Sequence, residues 1–137
     1  MARIERFEDI EAWKAGRVLV RDIYAVARRK PFGTDFGLKD QITRAAVSIT
    51  SNIAEGFDRG TDNEFFQFLK VAKGSAAEVK SLLYNALDLG YIMSDEFEKL
   101  LHDASIVGMM ISSLMTYLKK SRTPPLLTNQ PTDRQTD

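Results

Sequence analysis

The sequence predicts an all-α protein, an antiparallel up-down-up-down four-helix bundle, and three observations carry that expectation. Apolar residues recur at steps of three and four along four segments of the chain, as they do in helices with one buried face. Capping residues, glycines and prolines fall between those segments. No stretch alternates apolar and polar residues as a half-buried strand would. Each segment runs roughly 20 to 28 residues, about 30–40 Å of helix, and short connections make successive helices antiparallel neighbours.

The first segment places Ile10, Trp13, Val20, Ile23, Tyr24 and Ala27 on one face. Arg28, Arg29 and Lys30 are expected in its last turn, where cations suit the negative end of the helix dipole, and Pro31 stops it. The second begins between Asp35 and Leu38 and ends near Gly56, with Leu38, Ile42, Ala45, Ile49 and Ile53 facing inward. Thr61-Asp62-Asn63-Glu64 reads as a capping box that opens the third. That segment's inward positions are Phe65, Phe68, Ala72, Ala76, Val79, Leu82 or Leu83, Ala86 and Leu89, and Gly90 ends it. Ser94, with Asp95 and Glu96 in the first turn, opens the fourth. Its face is Phe97, Leu100, Leu101, Ala104, Val107, Met110, Ile111, Leu114 and Leu118. Met93, Met109, Met110 and Met115 are expected as adaptable core filler. Residues 1–120 make the bundle, and Pro124-Pro125 with the polar stretch after it read 121–137 as a disordered C-terminal tail.

The stretch AAVSITSNIAEGFDRG, Ala45 to Gly60, is built from small side chains. On a helical wheel Gln41, Arg44, Ser48, Ser51 and Glu55 share a stripe beside the apolar face, with Asn52 between the two. Small residues in its middle predict a helix packed on most of its circumference. Antiparallel pairing sets Ala45 and Ala46 beside Ala72 to Gly74, Gly16 beside Ser51, and Gly74 level with Gly108. A helical glycine costs roughly 1 kcal/mol relative to alanine, so tight crossings are expected at all three. The stripe has three readings: a hydrogen-bonded layer that fixes register, a subunit interface in which Arg44 and Glu55 reach another chain, or a ligand site.

Nineteen basic and nineteen acidic side chains among 137 residues cancel, so overall charge attracts no polyanion. The distribution is uneven: residues 1–31 hold eight basic against five acidic groups. Lys14, Arg17, Arg21 and Arg28 recur at helical steps and form a stripe able to track phosphates, or else an ordinary solvated face. Arg44, Arg59, Lys70 and Lys73 are further candidates. Cysteine is absent, which removes disulfides, thiolate chemistry and Cys-based metal sites. The charged start lacks an apolar signal region, and the longest apolar run, Ile106 to Met115, is well short of the ~20 residues of a membrane span. A cytoplasmic protein with no membrane association is the default expectation.

Catalytic patterns are missing. Di-iron bundles require Glu-x-x-His pairs, whereas the lone histidine, His102, follows Glu98 by four positions and reads as an exposed neighbour of Asp103. No nucleophile elbow or phosphate loop occurs. The expectation is a non-enzyme with no cofactor and no metal. Phe65 and Phe68 fit the core, while Phe66 falls off that face as an exposed or interface aromatic.

The segments FEDIEAWKAGRVLVRDIY, FGLKDQITRAAVSITSNIAEGFDRGTDNEFFQFLKVAKGSAAEV and LGYI together resemble the four-helix bundle proteins encoded in intervening sequences of bacterial 23S rRNA genes, over about residues 7–118. The resemblance implies a homo-oligomer, with a pentamer expected. A similar protein, the accessory variability determinant of diversity-generating retroelements, implies an RNA- or DNA-associated adaptor with a reverse-transcriptase-like partner. Where family members commonly carry proline and arginine, this chain has Thr50 and Thr43, so a kink expected in the second helix is absent or milder. Relatives also tend to be basic where this chain is neutral. The expected function is therefore an oligomeric nucleic-acid adaptor acting through the basic face of the first helix, the alternative being a protein-interaction scaffold with no nucleic-acid binding.

Overall fold

The computed structural model describes residues 4–122. Among them are four α-helices and no strand: α1 (Glu11–Ala27), α2 (Phe36–Asp58), α3 (Asp62–Asp88) and α4 (Ser94–Arg122), with 3₁₀ turns at Phe7–Asp9 and Phe32–Thr34. Each helix packs on the next and α1 also packs on α4, with the most extensive contact between α2 and α3. The expected C-terminal tail lies outside the described residues, apart from its first two, which continue α4.

The core is one cluster to which every helix contributes. Ile23, Ile42, Ile49, Ile53, Leu69, Leu83 and Ile111 are completely enclosed, each worth about 1.5–3 kcal/mol relative to exposure. The inward face of α2 is as expected except that Leu38 is only half-buried and Ala46 joins it. Most of the expected α4 face is buried, with Leu101 and Met110 packed at its margin. On α3, Leu69 takes the place expected for Phe68, which is half-buried, and Leu89 is exposed past the helix end.

The first helix is rotated from expectation. Its buried face is Ala12, Gly16, Leu19, Ile23, Val26 and Ala27, so Trp13 and Val20 sit at its edge and Tyr24 is exposed. The helix also ends at Ala27, so Arg28, Arg29 and Lys30 follow the last turn rather than occupy it. Met93 and Met109 are exposed, correcting their assignment as core filler, whereas Met110 and Met115 pack against the core. Phe66 also packs there, rather than standing free of it.

Helix ends follow from local chemistry. Asp35 caps α2 by accepting the Leu38 N–H. Thr61 caps α3 by accepting the Glu64 N–H at 3.2 Å, while Glu64 takes the Thr61 hydroxyl at 3.0 Å rather than its backbone N–H. In α4 the cap comes from Glu96, which accepts the Met93 N–H, and Ser94 is the first helical residue. Gly90, at φ +75°, closes α3 with Gly90 N–H to Leu87 O and Tyr91 N–H to Ala86 O, the paired bonds of a Schellman ending. Gly56 does not stop α2. It lies buried within the helix, and the turn is made at Gly60, φ +92°. The chain passes through Thr50 in continuous helix.

Of the three expected glycine crossings only Gly16 is one: a Cβ there would lie 2.9 Å from the Thr50 methyl. Nothing lies within 4 Å of a Cβ on Gly74 or Gly108. The tightest approach is at Gly56, the expected end of α2, where a Cβ would stand 2.5 Å from Phe68 Cβ.

The loops at one end of the molecule are tied together. Phe32 is fully buried and stacks on Tyr91 at 5.1 Å. The Tyr91 hydroxyl donates to Asp35 at 2.8 Å, and Arg29 grips both oxygens of Glu96 at 2.6 and 2.9 Å. The Leu38 N–H and the Tyr91 hydroxyl lower the Asp35 pKa, and the same bond raises that of Tyr91. The Arg29 guanidinium and the Met93 N–H hold Glu96 down to about 2, from 4.5. A carboxylate depressed on folding stabilises fully above its unfolded value and loses that contribution as pH falls through the folded one. The Glu96 contribution is therefore complete above pH 4.5 and gone below about 2. With Arg29 half-exposed, Glu96→Gln should cost on the order of 1 kcal/mol at neutral pH. Urea unfolding of both proteins across this window should show the difference vanishing as the acid limit is reached.

Candidate functional site

Two surfaces carry the residues singled out in the sequence. The first is the outer side of α1, where Lys14, Arg17, Val18 and Arg21 are exposed and, with Trp13, line a shallow groove. Arg17 lies over the Trp13 ring, 5.7 Å from its centroid, and Phe7 backs that ring edge-on at 5.2 Å. Stacking of this kind orients a guanidinium while leaving its N–H groups outward. Lys14 pairs with Glu11 at 3.3 Å and Arg21 with Asp22 at 3.2 Å, so both share their charge with an acid. Arg28 stands one residue past the helix, its Nε donating to the Tyr24 carbonyl. The structure therefore brings Lys14, Arg17 and Arg21 together and sets Arg28 at the end of the line. Trp13 and Val18 were missed as members of this surface, although their spacing beside Lys14, Arg17 and Arg21 placed them there.

The second surface is the polar stripe of α2. Its centre is a small network: Ser48 Oγ lies 2.8 Å from Ser75 Oγ of α3, and the Asn52 amide donates to both the carbonyl and the hydroxyl of Ser48. Among the described residues Ser75 is one of two buried polar residues, with Thr43, and a buried hydroxyl needs such a partner. Around this centre the stripe opens to solvent. Ser51 is exposed and turns its hydroxyl to the Val47 carbonyl. Gln41 donates to Glu78, Arg44 pairs with Asp40 at 3.7 Å, and Glu55 with Arg59 at 3.1 Å. Arg59 also reaches Glu64 and lies over Phe68 at 4.8 Å. Packing thus reaches Ser48 and Asn52 but not Ser51, and α2 is less enclosed than expected.

The register differs too. Ser48 opposite Ser75 puts Ala45 and Ala46 level with Glu78 and Ala77, about one turn from the expected level of Ala72 to Gly74.

Among the described residues no three His, Asp or Glu side chains cluster as a metal site, and His102 is exposed on α4. Hydroxyls and an amide offer hydrogen bonds, and guanidinium and ammonium groups offer anion contacts. No helix among the described residues is long and apolar enough to cross a membrane.

Comparisons with known proteins agree with the helical architecture. The solved structure of a protein of unknown function from the S23 ribosomal protein family of Bacteroides thetaiotaomicron VPI-5482 is similar, with a TM-score of 0.70 at 20% identity over 76% of this chain and 97% of that one. At that identity the likeness concerns the fold. No curated protein matches. The family model described as 23S rRNA-intervening sequence protein matches residues 8–113, the span holding α1, α2, α3 and most of α4, and the chain belongs to that family.

Proposed function

We propose that the protein is a non-enzymatic adaptor, an antiparallel bundle that assembles with copies of itself and binds RNA or DNA through the outer side of α1. The observation that carries this reading is the alignment of Lys14, Arg17 and Arg21 with Trp13 along one exposed groove, Arg17 held over the indole. Up-down-up-down order is supported by the pairs Gln41 with Glu78, Ser48 with Ser75 and Gly56 with Phe68, which run in opposite senses on α2 and α3. Because Glu11 and Asp22 offset two of the cations, one copy is a weak phosphate binder. Several copies engaged together act as a strong one, and five is the number the family resemblance implies. Exposed Val47 and Val71 flank the α2 stripe and support self-association there. The resemblance also suggests a reverse-transcriptase-like partner. That internal offset favours a second reading, a scaffold that docks a polypeptide and no nucleic acid.

Gel shifts with structured RNA and duplex DNA separate the two. With about three phosphates contacted per copy, raising salt from about 50 to 200 mM should weaken binding roughly 40-fold per copy. Arg17→Glu with Arg21→Glu should abolish the shift while leaving helicity unchanged. No shift at low salt overturns the nucleic-acid reading, and a polypeptide retained by that double variant establishes the scaffold.

A further inference from the structure

The seam between α3 and α4, on a different side from the α1 groove, has an unusual charge distribution. From Ala104 to Leu118, α4 carries no charged residue, although part of this stretch faces outward, with Met109 63% exposed and Tyr117 40%. A groove runs along the seam, floored by buried Ala76 and Ala104 with Gly108, and edged by Ala77, Met109, Ser105, Ser112 and Ser113. Lys73 and Lys80 stand on its α3 wall. Ion pairs occupy many cations elsewhere, yet neither of these lysines makes one with a described residue. No acidic side chain lines the groove.

We infer that this seam docks an acidic amphipathic helix of a partner protein. Small floor residues and the open Gly108 let another backbone come close, and Met109 supplies an adaptable apolar contact. Lys73 and Lys80 are one heptad apart, about 10 Å along the axis, so carboxylates seven residues apart on an incoming helix would meet both. A phosphate chain would meet the lysines but leave the uncharged floor uncovered. The charge pattern therefore selects a helix with small or apolar residues inward and acids at one flank.

The test is fluorescence anisotropy on the full chain with a three-heptad peptide, alanine and leucine inward and glutamate at the flank, beside a twin carrying lysine instead. The glutamate peptide should bind and the lysine twin should not. Lys73→Glu with Lys80→Glu, at unchanged circular dichroism, should weaken the glutamate peptide about tenfold or more. Arg17→Glu with Arg21→Glu should leave it bound, which keeps this result separate from the α1 reading. Absence of binding, equal binding of the two peptides, or indifference to the lysine substitutions overturns the inference. So does a single-stranded RNA oligonucleotide that binds in their place and is lost in the same variant.

Discussion

Truncation of Phe32 to alanine is expected to cost about 3–5 kcal/mol of folding stability, a large share of the 5–15 kcal/mol typical of a domain. The ring is completely buried although it belongs to a short turn between α1 and α2. It stacks on Tyr91, so its loss leaves a cavity beneath two loops and removes the support that places the Tyr91 hydroxyl on Asp35. Four positions on, Phe36 is 72% exposed, and its truncation should change stability by no more than about 0.5 kcal/mol. Urea denaturation of the two variants reads the contrast directly. Equal effects would mean that Phe32 does not hold this end of the bundle closed.

Gly56→Ala is expected to destabilise by about 1–3 kcal/mol even though alanine is the better helix former. The new methyl would meet Phe68 Cβ at 2.5 Å and the Phe65 ring at 3.1 Å. A Cβ is fixed to the backbone, so relief requires α2 and α3 to separate. Gly74→Ala makes the opposite case. Open space surrounds that position, and the substitution should stabilise by up to about 1 kcal/mol. Thermal unfolding should move the midpoints in opposite directions, and a stabilised Gly56→Ala would show that the helices can part without loss.

Sequence reasoning expected the close crossing at Gly74 and a helix end near Gly56, the reverse of what the packing holds, and the reason is physical. Spacing places a glycine on a helix but not against a neighbour, because the neighbour's identity depends on register between segments far apart in the chain. Helices α2, α3 and α4 were legible because one strong apolar period and explicit signals such as Thr61, Asp35 and Gly90 agreed. In α1 two faces overlap. Trp13 and Tyr24 weigh heavily as apolar residues yet sit at the rim, while Ala12 and Gly16 weigh little and are buried. For the surfaces, composition revealed which cations exist and where they align. Their neutralisation by Glu11 and Asp22, the Ser48–Ser75 bond and the lack of an ion pair between Lys73 or Lys80 and any described residue are properties of side chains in space.

The most extensive helix–helix contact among the described residues joins α2 and α3, which only residues 59–61 separate. Contacts between near neighbours require little loop closure, so a hairpin of these two helices is the structure the chain can assemble earliest. The defect at Gly56 should then appear as slower refolding in stopped-flow traces, and that at Phe32 as faster unfolding. On this view the α2–α3 junction governs how quickly the protein is made, and the tied loops at the opposite pole govern how long it lasts.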